Sequence, residues 1–152
     1  MSDRNETEDE RLDRKWADLL QELRVMQTGA QLTAGFLLTL PFQPSFEDLD
    51  GFQVQLYLTL VLLAAATTAL VMSAVAVHRR LSGEHVKERV VVAAHRITIG
   101  VLTTISLLIT GMVLLVFDVV LERSIALIWG GAVAVLVVLL LVVLPHALRP
   151  DE

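Results

Sequence analysis

The sequence predicts an all-α membrane protein: a compact bundle of four transmembrane helices, entered through an amphipathic N-terminal helix that runs into the first span. Three observations predict it. Leu, Val, Ile and Ala fall in long runs without the two-residue alternation of half-buried strands or of a membrane β-barrel. Four of these runs, free of Asp, Glu, Lys and Arg, approach or exceed the ~20 helical residues that cross a ~30 Å hydrocarbon layer. The cations beside those runs fall almost wholly on one side. Composition agrees, since 55% of the 152 residues are hydrophobic, 19% are charged and the mean hydropathy is +0.65, well outside the range of soluble domains of this size. One domain is expected. With no cysteine, disulfides, thiolate metal sites and acylated cysteine anchors are excluded.

Residues 1–8 form an acidic arm, expected to be disordered because it has little to bury. The acid-rich start lacks the basic and short apolar stretches of a signal peptide, so no cleavage is expected there. From 9 to 24, Leu12, Trp16, Leu19, Leu20 and Leu23 recur at helical spacing, with Asp13, Lys15, Asp18 and Glu22 opposite. This amphipathic cytoplasmic helix suits the membrane interface; docking of a cytoplasmic partner is the alternative. The membrane domain, 25–148, carries spans at about 25–42, 54–77, 97–117 and 125–144. The first is the weakest, interrupted by Gln27, Thr28 and Gln31. Pro41, Pro44, Glu47, Asp48 and Asp50 make the first loop, an Arg-rich stretch the second, and Asp118 to Ser124 a tight third. Pro145 and His146 close the last helix, leaving a cytoplasmic tail at 149–152.

Arg4, Arg11, Arg14, Lys15 and Arg24 precede the first span; Arg79, Arg80, Lys87, Arg89 and Arg96 lie between the second and third; Arg149 follows the fourth. The opposite side has only Arg123. The positive-inside rule therefore predicts a multi-pass protein of the cell membrane with both termini in the cytoplasm, its inner rim facing anionic lipid headgroups. Trp16 falls near the inner boundary, while Phe42, Phe46, Phe52, Tyr57, Phe117 and Trp129 gather towards the outer one. The net charge of −5 describes no single surface and points to no partner.

Because lipid is as apolar as leucine, helices associate through small and polar residues. Ala65, Ala69 and Ser73 in the second span, Ser106, Thr110 and Gly111 in the third, and Gly130, Gly131 and Ala134 in the fourth are the expected contacts, within one bundle or a homodimer.

Phosphate-loop, HExxH, GxSxG and dinucleotide-turn motifs are missing, so no enzyme and no cofactor is expected. The inner basic stretch is short, lies against the membrane and alternates with Glu84 and Glu88, which argues against nucleic acid. One candidate site stands out, an inner polar cluster of Arg24, Gln27, Gln31, His78, His95 and Arg96. Arg24, Gln27 and Gln31 share one helix face at i, i+3 and i+7, and the two histidines fall at the same depth. The cluster suits either a hydrated vestibule, with histidine relaying protons beside Glu22 or Glu88, or plain interhelical hydrogen bonding with snorkelling arginines. His85 with Glu84, Glu88 and His95 converges too few ligands for a metal site, and none is expected. Asp118, closing the third span, is a candidate outer acid, expected to sit in a solvated or salt-bridged turn.

The run LLQELRVMQTGAQLTAGFLLTLPFQPSF at 19–46, HRR at 78–80 and VFDVV at 116–120 resemble a bacterial family of small four-span membrane proteins classed as a domain of unknown function, some of whose members carry the label sodium:proton antiporter. The resemblance covers nearly the whole chain after Asp13 and implies the four-span fold. Antiport needs an ionisable group in the membrane interior, and every Asp and Glu here falls in a tail, a loop or at a span end. Thr67, Thr68, Thr103 and Thr104 can offer oxygens to a cation only within a larger assembly. A non-enzymatic accessory, structural or partner-regulating role ranks first, and small-ion transport as a subunit or oligomer second. The expected partners beyond lipid are a second copy or another membrane protein.

Overall fold

The computed structural model describes residues 7–81 and 87–148, and among them all regular structure is helical. The order is α1 (Glu8–Thr39), two short 3₁₀ turns (Leu40–Phe42 and Pro44–Phe46), α2 (Gly51–Leu81), α3 (Lys87–Val120) and α4 (Arg123–Val138). A π-helical turn (Leu139–Val143) and one last α-turn, α5 (Leu144–Ala147), continue α4. Among the described residues three helical segments are long and apolar enough to cross a membrane: Gly51–Val77, Val92–Val120 and Arg123–Ala147. α1 falls outside that class because even its least charged stretch, 22–39, is interrupted by Glu22, Arg24, Gln27 and Gln31.

A capping box starts α1. The Glu10 amide donates to the Thr7 hydroxyl at 3.4 Å, and the Thr7 amide donates to the Glu10 carboxylate at 2.9 Å, so two of the amides that a helix start leaves orphaned are satisfied. The Thr7 amide, and after it the Thr7 hydroxyl, donate to the Glu10 carboxylate and hold it below its ordinary range. The helix then runs unbroken for 32 residues. It stops where Pro41, whose ring bars a further helical turn, introduces the 3₁₀ turns.

Helices α1, α2 and α3 pack antiparallel in sequence order around rows of buried residues spaced by seven. The rows are Leu23, Ala30 and Leu37 on α1; Leu60, Thr67 and Ala74 with Tyr57, Ala64 and Val71 on α2; and Ala94, Val101, Leu108 and Leu115 on α3. Seven-residue steps are those of left-handed helix packing, in which two rows stay in register over several turns. The α2–α3 register is read from three pairs, Gln53 with Asp118, Leu60 with Gly111 and Thr67 with Thr104. An added Cβ on Gly111 would lie 2.5 Å from Leu60 Cδ2, so only glycine admits the leucine without movement there. The hydroxyls of Thr67 and Thr104 are bonded at 2.8 Å.

The fourth helix departs from a compact four-helix bundle. Apart from the Arg123 side chain, α4 packs on α3 alone among the described helices that precede it, through buried Ala126 and Gly130. A Cβ on Gly130 would meet Leu114 at 3.3 Å. The small-residue contacts expected on α2 are also displaced: Ala65 and Ala69 are exposed and Ser73 is half-buried, while Ala64, Thr67, Val71 and Ala74 make the contact. One residue is 100° of helix, enough to turn a small-residue row from a neighbour to the outside. Gly131, expected in the α4 contact, likewise faces open space. Nor does Pro145 end the last helix. Leu144 donates to the Leu139 carbonyl across the wider π-turn, and the chain stays helical to Ala147.

Candidate functional site

The described members of the predicted polar cluster, Arg24, Gln27, Gln31, His95 and Arg96, are not joined to one another. On α1, Gln27 is half-buried whereas Arg24 and Gln31 are exposed; on α3, His95 and Arg96 are exposed. Among the described residues no hydrogen bond or ion pair joins these five side chains; Thr28 donates to the Arg24 carbonyl at 3.1 Å. The His78 side chain, Glu84, His85 and the Glu88 side chain lie outside the described residues. Thr98, six residues into the apolar segment of α3 that begins at Val92, buries a hydroxyl that finds no hydrogen-bond partner. The threonines considered as cation ligands are turned to local use: Thr68 donates to the Ala64 carbonyl and Thr103 to the Ile99 carbonyl.

The opposite end holds a highly connected polar group. Asp118, in the last turn of α3, has a side chain only 1% exposed. Arg123, at the first position of α4, donates from Nε to Asp118 Oδ1 at 3.0 Å and from Nη2 to Oδ2 at 3.1 Å, a bidentate fork. Gln53 Nε2 donates to Asp118 Oδ2 at 2.8 Å and to the Asp118 carbonyl at 3.1 Å. Arg123 Nη2 also reaches Asp50 Oδ2 at 2.5 Å, and its guanidinium carbon lies 4.3 Å from the centre of the Phe52 ring.

Asp50 and Gln53 build this arrangement from a local signal. Asp50 Oδ1 accepts from the amides of Phe52 and Gln53 at 2.9 Å, and Gln53 Oε1 accepts from the Asp50 amide at 2.9 Å. That reciprocal pair is a capping box at the start of α2, legible as Asp-x-x-Gln before an apolar run. It fixes Gln53, whose amide nitrogen is then aimed across at α3. The Gln53 amide proton, followed by Arg123, holds the Asp50 carboxyl below its usual value of 3.8. The cluster thus ties together the first loop, α2, α3 and α4. Below it, Phe46 meets Tyr57 edge-on at 5.1 Å, Phe117 meets Trp129 at 6.0 Å, and the buried Tyr57 hydroxyl donates to the Leu37 carbonyl at 3.2 Å.

A buried carboxylate held by a bidentate arginine and an amide has the form of a structural tie. Its charge is matched, and it accepts three hydrogen bonds, one at Oδ1 and two at Oδ2. Fold and site together define an all-helical protein with three helices apolar enough to cross a membrane, clamped at one end by this ion pair. The chain belongs to a family of unknown function (DUF6328), whose family model matches residues 5–145. No curated protein and no solved structure matches it significantly.

Proposed function

We propose that this chain is a non-enzymatic, multi-pass protein of the cell membrane with four spans, both ends on the cytoplasmic side, and an accessory, structural or partner-regulating role. The observation that carries the functional part is the state of Asp118: this carboxylate, buried at a span end, is held by Arg123 and Gln53 rather than left to exchange a proton for a cation. For the fourth span, α1 supplies the support. Its buried row from Leu23 to Leu37 runs antiparallel along α2, with Leu23 packed beside Val71 and Ala74 and Leu37 beside Tyr57 and Leu60, so α1 shares the depth of an apolar segment. Orientation follows from the cations before α1 and between α2 and α3.

Small-ion transport, of sodium against protons, is the second reading. It is favoured by the same buried carboxylate, which displacement of Arg123 would release. Proteoliposomes carrying a pH or sodium gradient separate the two. Gradients decaying no faster than in empty vesicles are expected; faster decay abolished by Asp118→Asn, Gln27→Ala or His95→Ala overturns the accessory reading. A single Ser45→Cys in the first loop, labelled by an impermeant maleimide from outside intact cells, checks the topology. Protection of that thiol until the membrane is permeabilised contradicts the orientation.

A further inference from the structure

Helix α1 carries a second row at alternating spacings of three and four: Gln21, Arg24, Thr28, Gln31, Gly35 and Leu38, every one of them exposed. The same spacing on the other faces of α1, α2 and α3 produces their mutual contacts. Among the described residues this row and the adjoining exposed row from Glu22 to Thr39 are left largely uncovered, and this row is the one that carries an amide into the apolar stretch. Gln31 adjoins Ala30, the middle of the buried Leu23, Ala30 and Leu37 row. If α1 spans, its amide therefore sits midway through the apolar layer, and it makes no hydrogen bond to the described residues. Lipid tails offer neither donor nor acceptor, and amides at that depth pair across helices.

From this geometry we infer that the row is the contact between two copies of this chain, α1 against α1 in parallel, with the two Gln31 amides bonded to each other at the centre. This inference rests on the four-span reading. The choice of a second copy follows from the chemistry of the row. A carboxamide carries both a donor and an acceptor, so two symmetry-related amides complete each other. Two copies in one membrane share their orientation, which brings equal depths face to face. Thr28 and Gly35 flank the amide with little bulk, and a Cβ on Gly35 would meet nothing within 4 Å. Close approach of the backbones is therefore open on both sides of Gln31. Arg24 lies at the end of the row nearer the basic side, where its long stem carries the charge out to water and away from its counterpart.

The absence of native cysteine makes the test direct. Gly35→Cys, and Val135→Cys on the exposed face of α4 as a control, are treated with a mild oxidant in native membranes. Gly35→Cys is expected to give a disulfide-linked dimer and Val135→Cys to remain monomeric. Adding Gln31→Leu to Gly35→Cys should lower the crosslinked fraction, corresponding to a roughly tenfold weaker association, the scale of a membrane amide bond. Gln27→Leu, altering a side chain half-buried within the monomer, should leave it unchanged. Equal crosslinking of both cysteines, none at Gly35, or indifference to Gln31→Leu overturns the dimer. The same Gly35→Cys protein separates that failure from failure of the four-span reading: labelling by an aqueous maleimide without detergent removes α1 from the membrane. Protection without crosslinking overturns the dimer alone and points to another membrane protein on this face.

Discussion

The two ends of the helix assembly solve the same problem of polar groups beside an apolar layer in different ways. At the end formed by the first loop and the α3–α4 turn, Asp50, Gln53, Asp118 and Arg123 complete one another's hydrogen bonds across three helices. At the other end, Arg24, His95 and Arg96 are exposed, and Thr98 buries an unpaired hydroxyl. Close packing follows the same division. Gly111 lets Leu60 approach within a distance no Cβ allows, whereas a Cβ at Gly100 meets Leu70 at an ordinary 3.5 Å. A saturated end holds the helices together; an unsaturated end leaves groups available to water, headgroups or another chain.

Glycine substitutions break this contrast most directly. Gly111→Val is expected to cost about 2–3 kcal/mol, because the added methyls must displace Leu60, itself 1% exposed. Gly100→Ala should be neutral or stabilising by up to about 1 kcal/mol, the helix-propensity gain. Thermal unfolding in detergent, followed by helical circular dichroism, measures both, and equal losses would remove the distinction. Next in size is charge removal. Arg123→Met strands Asp118 against apolar neighbours and should lower Tm by about 5 °C, whereas Arg24→Met should change it by under about 1 °C. The partial exposure of Arg123 keeps the first effect moderate.

Threonine substitutions probe satisfaction itself. Thr98→Val removes a hydroxyl that makes no hydrogen bond and should stabilise by about 1 kcal/mol, while Thr67→Val breaks the 2.8 Å bond to Thr104 and should cost about 0.6 kcal/mol. Opposite signs are the diagnostic result. The smallest effect is that of acid on the clamp. Asp50 has a folded-state pKa depressed below 3.8, so its contribution is fully present above that value and is lost as pH falls through the lower folded-state value. Trp129 emission in a Trp16→Phe background should report the loosened α4 end, and Asp50→Asn should abolish the step.

Several elements of this contrast are readable along the chain. Asp-x-x-Gln at 50–53 is a helix start wherever it precedes an apolar run, and Thr-x-x-Glu at 7–10 is another. Asp118 and Arg123 stand five residues apart across a tight turn, which makes an ion pair an ordinary expectation. Their link to Gln53, 65 residues away, carries no local signal, and neither does the burial of Asp118 that the link permits.

Length, hydropathy and charge by themselves determined that the chain is helical and apolar enough to meet a membrane, because burial of unpaired backbone in hydrocarbon leaves the helix as the solution for long unalternating runs. They also marked the polar character of α1 and the acid at 118. Which face of each helix is occupied was decided only by the tertiary structure. Adjacent residues such as Ala64 and Ala65 are chemically identical, yet 100° of rotation places one against α1 and α3 and the other outside. The same rotation turns Ala30 inward and Gln31 outward, and it leaves α4 leaning on α3 alone. Register and rotation depend on contacts between helices far apart in the chain, and composition cannot encode them.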